Sequence, residues 1–264
     1  MRLPSQTVNE IREIACAAGR EIMLVYRATD RGVTAKADQS PVTEADVRAH
    51  EVISKGLKRL TQELVVSEED DTKHRPPPVD EPFWLVDPLD GTRDFVNHLD
   101  TFVVCIARVE SGYPSFGLIH WPVSGETWWA QQGEGAYGPK GERLRHDNSR
   151  TALICAGSRS MPSEKMQGVY DLFGIKEVQR YGSALKFCRF AEGAIDVYPR
   201  KGPTSEWDTA AGQIIVEEAG GQVIEISSGE RLRYGKPAFE NRGGFIVSHA
   251  DLDLVGKLKA SGLF

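Results

Sequence analysis

Val8, Ile11, Ile14, Ala15, Ala18, Ile22 and Val25 recur at helical spacing and predict an amphipathic helix over 6–28. Residues 29–42 read as a short β-ribbon and turn. Thr43 then opens a second helix running to Leu60, with Glu44 and Asp46 in the first turn, where the helix dipole favours acids. Leu64–Ser67 reads as a strand ending on Glu68-Glu69, and the charged, proline-rich stretch 70–82 as a loop. The apolar run Phe83-Trp84-Leu85-Val86 is a buried strand leading directly into Asp87-Pro88-Leu89-Asp90-Gly91-Thr92. Strands at 102–109, 113–120 and 126–131 form a meander, which implies an antiparallel or mixed sheet. Beyond it the pattern alternates: strand 152–156, helix 163–172, strand 176–180, helix 183–191, strand 195–198, helix 207–219 and strand 222–226. Gly220-Gly221 stops the last helix. Interleaved helices and strands imply a layered α/β or α+β fold. The chain reads as one domain over 1–264, with a polar seam near 140–150.

Composition narrows the classes. Hydrophobic residues are 40% and charged residues 27%, which excludes disorder and disulfide miniproteins. A net charge of −6 argues against nucleic-acid polymers and anionic lipid as partners. An anionic small substrate stays open, because a bound metal ion or a few arginines invert the local field. Cys16, Cys105, Cys155 and Cys188 form no CxxC pair and read as free thiols in a reducing compartment. No apolar run reaches membrane-spanning length and no signal-peptide pattern opens the chain. A cytoplasmic location, at most peripheral to the inner membrane, is the expectation.

The chemistry sits in carboxylates at strand ends and helix starts, which an α/β sheet gathers on one edge. Singly, each acid could be a solvated turn residue. Jointly, Glu68, Asp87, Asp90 and Asp208 would repel one another unless cations neutralised them, and hard oxygen ligands suit Mg²⁺. Gly91 lets the backbone approach a ligand, Thr92 opens a helical turn, and Leu89 would offer its carbonyl. Counted from Asp87, the glycine is fifth, which fails the Ca²⁺-loop spacing. Pro88 occupies the place where an Asp-x-Asp-Gly-Thr phosphoenzyme carries its first aspartate, so the spacing favours direct attack by water. His98 and His120 show no ligand spacing and are assigned no catalytic role. Trp128-Trp129 reads as packing, and Tyr198 as either a ligand contact or core.

FWLVDPLDGTRDF (83–95), WDTAAGQIIVEEAGG (207–221) and Ser67-Glu68-Glu69 together resemble the signatures of the inositol monophosphatase superfamily, the Mg²⁺-dependent, Li⁺-sensitive phosphatases. The likeness covers about 5–260. Within it, Ser40 to Asp46, Gly182 to Cys188 and Tyr198-Pro199-Arg200 are similar to the 3′(2′),5′-bisphosphate nucleotidase branch. Lys201 stands where that pattern more often has an aromatic, and Gln39 where it has glycine.

The resemblance implies an αβαβα sandwich of the inositol monophosphatase and fructose-1,6-bisphosphatase type. It also implies hydrolysis of the 3′-phosphate of adenosine 3′,5′-bisphosphate, a by-product of sulfate assimilation. Two or three Mg²⁺ would be held by Glu68, Asp87, the Leu89 carbonyl, Asp90 and Asp208. Asp46 and Thr92 would orient the attacking water, and Glu69 would help place another. Gly91 and Thr92 would cradle the scissile phosphate, while Ser183, Lys186 and Arg200 would bind the rest of the substrate. Lys186 could instead be a solvated helix residue, and Arg200 a structural ion pair. The alternatives are an inositol monophosphatase or broad-specificity sugar phosphatase, and, from another class, a non-catalytic metal or nucleotide sensor. A homodimer is compatible with the likeness.

Overall fold

The computed structural model describes residues 2–28, 34–35, 41–74, 81–159 and 166–263. The expected loop over 70–82, the 29–42 ribbon, the start of the 163–172 helix, and Gln39 and Ser40 fall wholly or partly outside these residues.

In chain order the first half contains α1 (Ser5–Tyr26), β1 (Thr34–Ala35), β2 (Pro41–Val42), α2 (Glu44–Leu60), β3 (Leu64–Ser67), β4 (Phe83–Asp90), α3 (Thr92–Val96), β5 (Val103–Glu110), β6 (Tyr113–Trp121), β7 (Glu126–Gln131), β8 (Gly135–Tyr137) and β9 (Arg143–Leu144). The second half contains β10 (Ile154–Ser158), α4 (Gln167–Phe173), β11 (Glu177–Tyr181), α5 (Leu185–Ala191), β12 (Val197–Arg200), β13 (Thr204–Ser205), α6 (Ala210–Glu218), β14 (Gly221–Glu225), β15 (Glu240–Asn241), β16 (Phe245–His249) and α7 (Leu254–Ser261).

β3 to β9 form a seven-stranded sheet in sequence order, parallel between β3 and β4 and antiparallel elsewhere. The mixed meander is as the sequence predicts. The second sheet runs β11-β10-β12-β16-β14, with β10 parallel to both neighbours.

Both faces of the first sheet are covered, which explains why its strands are continuous apolar runs rather than alternating ones. Trp84, Val86, Val104 and Ile106 pack under α1 and α2, against Ile11, Ile22, Ile53 and Leu57. Phe83, Leu85, Val103 and Cys105 face the other way, onto α5 and α6 through Phe187, Ile214 and Ile215. That middle layer also receives Val223, Phe245 and Val247 from the second sheet. The far side of the second sheet, including Cys155, Val197 and Ile246, is closed by α4 and α7 through Val169, Leu254 and Leu258. The stack is therefore αβαβα, the expected sandwich. All four cysteines are free. No helix among the described residues is long and apolar enough to cross a membrane.

Several boundaries differ from the sequence reading, and three bear on the site. The strand from Phe83 does not stop at Val86: pairing with β5 resumes at Asp90 after a register shift between Asp87 and Asp90. Helix α5 starts at Leu185 rather than 183, because Ser183 adopts a left-handed backbone (φ 47°). Helix α6 starts at Ala210, so Asp208 lies in the turn before it rather than opening it.

Candidate active site

The carboxyl ends of β3, β4, β10, β11 and β12 point toward one rim, where α/β sheets bind ligands. β4 delivers Asp87 and Asp90, and the Asp87 carboxylate accepts the Leu89 N–H at 3.0 Å. The Leu89 side chain is buried in the core under α1 and α2, so what it can offer the cleft is its carbonyl. Gly91 ends the strand at φ 100°, a conformation costly for any side chain, and caps α3. A Cβ on Gly91 would meet Thr101 O, Phe102 Cα and Ser183 Cβ at 3.1–3.3 Å.

Asp46 arrives from α2. Its Oδ2 accepts the Thr43 N–H at 2.7 Å and the Thr43 hydroxyl at 2.6 Å, and the Thr43 hydroxyl in turn accepts the Ala45 N–H at 3.2 Å. Its other oxygen accepts the Thr92 hydroxyl at 3.3 Å, and that hydroxyl also lies 3.2 Å from Leu89 O. Capping thus fixes the Asp46 carboxylate against the residue expected to orient water.

Glu68, Asp87 and Asp208 bring carboxylate oxygens within 4.8 Å of one another. Asp208 is held by the Ser205 N–H at 3.0 Å, and Asp90 by the Ala184 N–H at 2.5 Å. Burial, reinforced by Glu68, Asp90 and Asp208, pushes the Asp87 carboxyl well above the usual carboxylate range. Asp208 is raised the same way, by burial first and then by Asp90 and Glu68. Burial lifts Asp90 to about 6 against the opposing pull of Lys186 and the Ala184 N–H. Acids this crowded, with Asp87 buried and Glu68 and Asp208 half-buried, fit a divalent cation of the Mg²⁺ kind.

The cluster opens into a cleft of about 290 Å³ lined by Glu68, Asp87, Leu89, Asp90, Gly91, Thr92, Ser183 and Asp208, among others. Glu69 does not line it; its N–H lies 3.4 Å from Ser67 Oγ. Lys186 and Arg200 line an adjoining cavity of about 130 Å³, which shares Asp90, Ser158, Ser183 and Asp208 with the cleft. Lys186 is neither a solvated helix residue nor aimed outward. It is buried, its ammonium folds back onto Ser183 O and Tyr181 O, and it lies 5.1 Å from the Tyr198 ring centre. Burial pulls its pKa down to about 8. Arg200 Nε is buried with no hydrogen-bond partner among the described residues, and the guanidinium charge favours the ionised form of Asp208. Tyr198 packs edge-on to Phe187 and Phe245 and belongs to the core, although its ring also forms part of this cavity wall. His98 and His120 lie outside both cavities.

Sequence reasoning missed Asp94, Thr101 and Arg159. Arg159 Nη1 donates to Thr101 Oγ1 at 2.9 Å, and Thr101 donates to Asp94 at 2.5 Å. Asp94 and Arg159 line the cleft from separate elements, and no local spacing links them. Only Asp94, inside the 83–95 signature, stood near a flagged motif.

A layered phosphatase sandwich with an acidic cluster on its strand ends matches the family model for the inositol monophosphatase family over residues 4–258. The chain belongs to that family. It is 38% identical over 245 residues to the 3′(2′),5′-bisphosphate nucleotidase CysQ of Escherichia coli K12, covering 91% of this chain and 99% of that protein. To the Salmonella typhimurium protein of the same name it is 39% identical over 241 residues, covering 89% and 97%. The crystal structure of CysQ from Bacteroides thetaiotaomicron superposes with a TM-score of 0.78 at 34% identity, covering 93% and 98% of the two chains. The IMPase of Thermotoga maritima gives 0.76 at 26% identity, covering 98% and 95%.

Proposed function

We propose that this chain is a Mg²⁺-dependent 3′(2′),5′-bisphosphate nucleotidase. It removes the 3′-phosphate of adenosine 3′,5′-bisphosphate to give AMP and phosphate, as a cytoplasmic step of sulfur assimilation. The observation that carries this reading is the cavity bearing Lys186 and Arg200 set directly beside the acidic cleft. A substrate with two separated phosphates uses both spaces, whereas an inositol monophosphate leaves the second without a ligand. The names of the CysQ relatives support the same substrate class.

Glu68, Asp87, Asp90, Asp208 and the Leu89 carbonyl would hold two or three Mg²⁺, which supply Lewis acidity toward the phosphate and a more acidic water. Thr92, fixed by Asp46, orients the attacking water with its hydroxyl. The Gly91 and Thr92 N–H groups receive phosphate oxygens at the start of α3. Ser183 borders both cavities, which supports a place for it between the scissile and the retained phosphate. Arg200 grips the retained phosphate with a guanidinium, the group best matched to it.

The test is phosphate release from adenosine 3′,5′-bisphosphate and from inositol 1-phosphate, side by side with Mg²⁺. A higher kcat/KM for inositol 1-phosphate would replace the nucleotidase reading with the inositol one. Hydrolysis of neither would leave the sensor reading.

A further inference from the structure

Helix α2 touches the site at a second point. One turn after Asp46, on the same face, His50 Nδ1 lies 2.9 Å from Ser67 Oγ. A turn further on, Ser54 reaches the same imidazole at 3.4 Å. Asp46, His50 and Ser54 thus make a polar stripe on a helix whose other inward residues, Ala45, Ala49, Ile53 and Leu57, are apolar. Ser67 is the last residue of β3, and the next residue is Glu68 of the acidic cluster.

β3 is the outermost strand of its sheet, so the turn carrying Glu68 has a ladder partner on one side only. The Glu68 N–H reaches Val86 O at 3.1 Å, and Lys73 donates to Glu68 O at 2.6 Å. Ser67 Oγ in turn receives the Glu69 N–H at 3.4 Å. Ser67 Oγ has two lone pairs, so it receives the Glu69 N–H whether it donates its own proton to His50 Nδ1 or accepts one from it, and His50 Nε2 lies 4.0 Å from Asp70 Oδ2.

Serine, histidine and aspartate in this order have the composition of a nucleophile relay. Ser67 is wholly inaccessible, at 0% exposure, which removes it as a nucleophile. What remains is a brace. We infer that His50 is a positioning residue for the metal site: by bonding Ser67, it holds the Ser67–Asp70 turn so that Glu68 meets Asp87 and Asp208. α2 then sets both the water-orienting Asp46–Thr92 pair and the outer ligand of the cluster.

The inference rests on the metal reading above, and the experiment separates the two. Mn²⁺ alone is titrated into the full chain, with free Mn²⁺ read by electron paramagnetic resonance, and Tm is recorded without metal. Residues that orient metal ligands typically contribute about 10- to 100-fold in metal affinity. His50→Ala should weaken Mn²⁺ binding by about 10-fold or more. His50→Asn, whose amide oxygen falls near the Nδ1 position, should restore it to within about 3-fold. His50→Gln, which reaches only the Nε2 position, should not. Ser67→Ala should mimic His50→Ala, with no further loss in the double variant, which covers the case of one variant failing to fold. An unchanged Mn²⁺ constant in His50→Ala overturns the inference while leaving the metal site standing. Equal losses in the Asn and Ala variants overturn it as well. A wild-type chain that takes up no Mn²⁺ overturns the metal reading itself.

Discussion

Replacing Arg200 by alanine separates recognition from chemistry. Arg200 closes β12, opposite Phe245 of β16, so its backbone is fixed by the sheet and shortening the side chain leaves the strand in place. The side chain lines the cavity of about 130 Å³ together with Lys186, and its Nε has no partner to lose among the described residues. On the proposed reading, truncation therefore removes a substrate contact and leaves the strand pairing in place. A charge-assisted hydrogen bond to phosphate is worth about 1.5–3 kcal/mol. That converts to a loss of roughly 10- to 150-fold in kcat/KM for adenosine 3′,5′-bisphosphate. The guanidinium also lies close enough to Asp208 to favour its ionised form, an effect that would fall on every substrate alike. 3′-AMP, which lacks the 5′-phosphate, is the control. The assay is steady-state phosphate release for both substrates at saturating Mg²⁺, with the loss appearing in KM for the bisphosphate and kcat/KM for 3′-AMP held within about 3-fold. Equal losses on both would show that Arg200 serves the acidic cluster or the scissile phosphate, and the two-cavity reading would fail.

Stripping divalent ions with EDTA should abolish turnover and added Mg²⁺ restore it; full activity in the stripped protein would contradict the role given to Glu68, Asp87 and Asp208. Thr92→Ala should lower kcat by at least about 10²-fold, the usual scale for proton handling by a positioned group, with the circular dichroism spectrum unchanged. A Cβ on Gly182 would stand 1.9 Å from Asp94 Oδ2 and 2.9 Å from Thr101 O, so Gly182→Ala should displace the loop that presents the Ala184 N–H to Asp90, cutting kcat/KM by about 10-fold or more. Buried His120 is pulled down to about 4 from an ordinary 6.5, chiefly by burial, so the unfolded chain binds its proton first as pH falls. The contribution of His120 alone should be full above pH 6.5 and fall between 6.5 and 4 by about 3 kcal/mol, at ~1.4 kcal/mol per unit, against the opposite trend of the raised Asp87, Asp90 and Asp208 carboxyls. Urea unfolding across that range should show a shallower slope in His120→Gln, and an equal slope in both would assign the effect to other groups.

The part of the candidate site on β4 and α3 was legible because its residues are consecutive. Asp87 to Thr92 share one strand end and one helix start, and the capping pattern Thr43-x-x-Asp46 is a local signal as well. The end of β4 was misread because Pro88 lacks an N–H and looks like a strand terminator; the register shift between Asp87 and Asp90 accommodates it. The burial of Lys186 was not legible, because its inward turn depends on the left-handed backbone at Ser183, which no periodicity announces. β16, central in the second sheet, went unassigned because Phe245–His249 is a short apolar run between polar turns. The Asp94–Thr101–Arg159 contacts join distant stretches and exist only after folding.

Glu68 and Asp87 come from the first sheet, whereas Asp208 comes from the turn preceding α6, in the layer between the two sheets. An ion held by all three would act as a strut between parts of the molecule that otherwise meet mainly through side-chain packing. Occupancy and rigidity are then two readings of one equilibrium. At 100 times its dissociation constant, a ligand bound only by the folded form adds about 2.7 kcal/mol. By reciprocity, whatever loosens the packing between the layers must also loosen the grip on the ion. A substitution deep in the apolar middle layer, far from any phosphate, would then announce itself as a raised Mg²⁺ requirement before it appeared as unfolding. Magnesium-poor conditions would in turn leave the chain more open to proteolysis than its core alone would suggest.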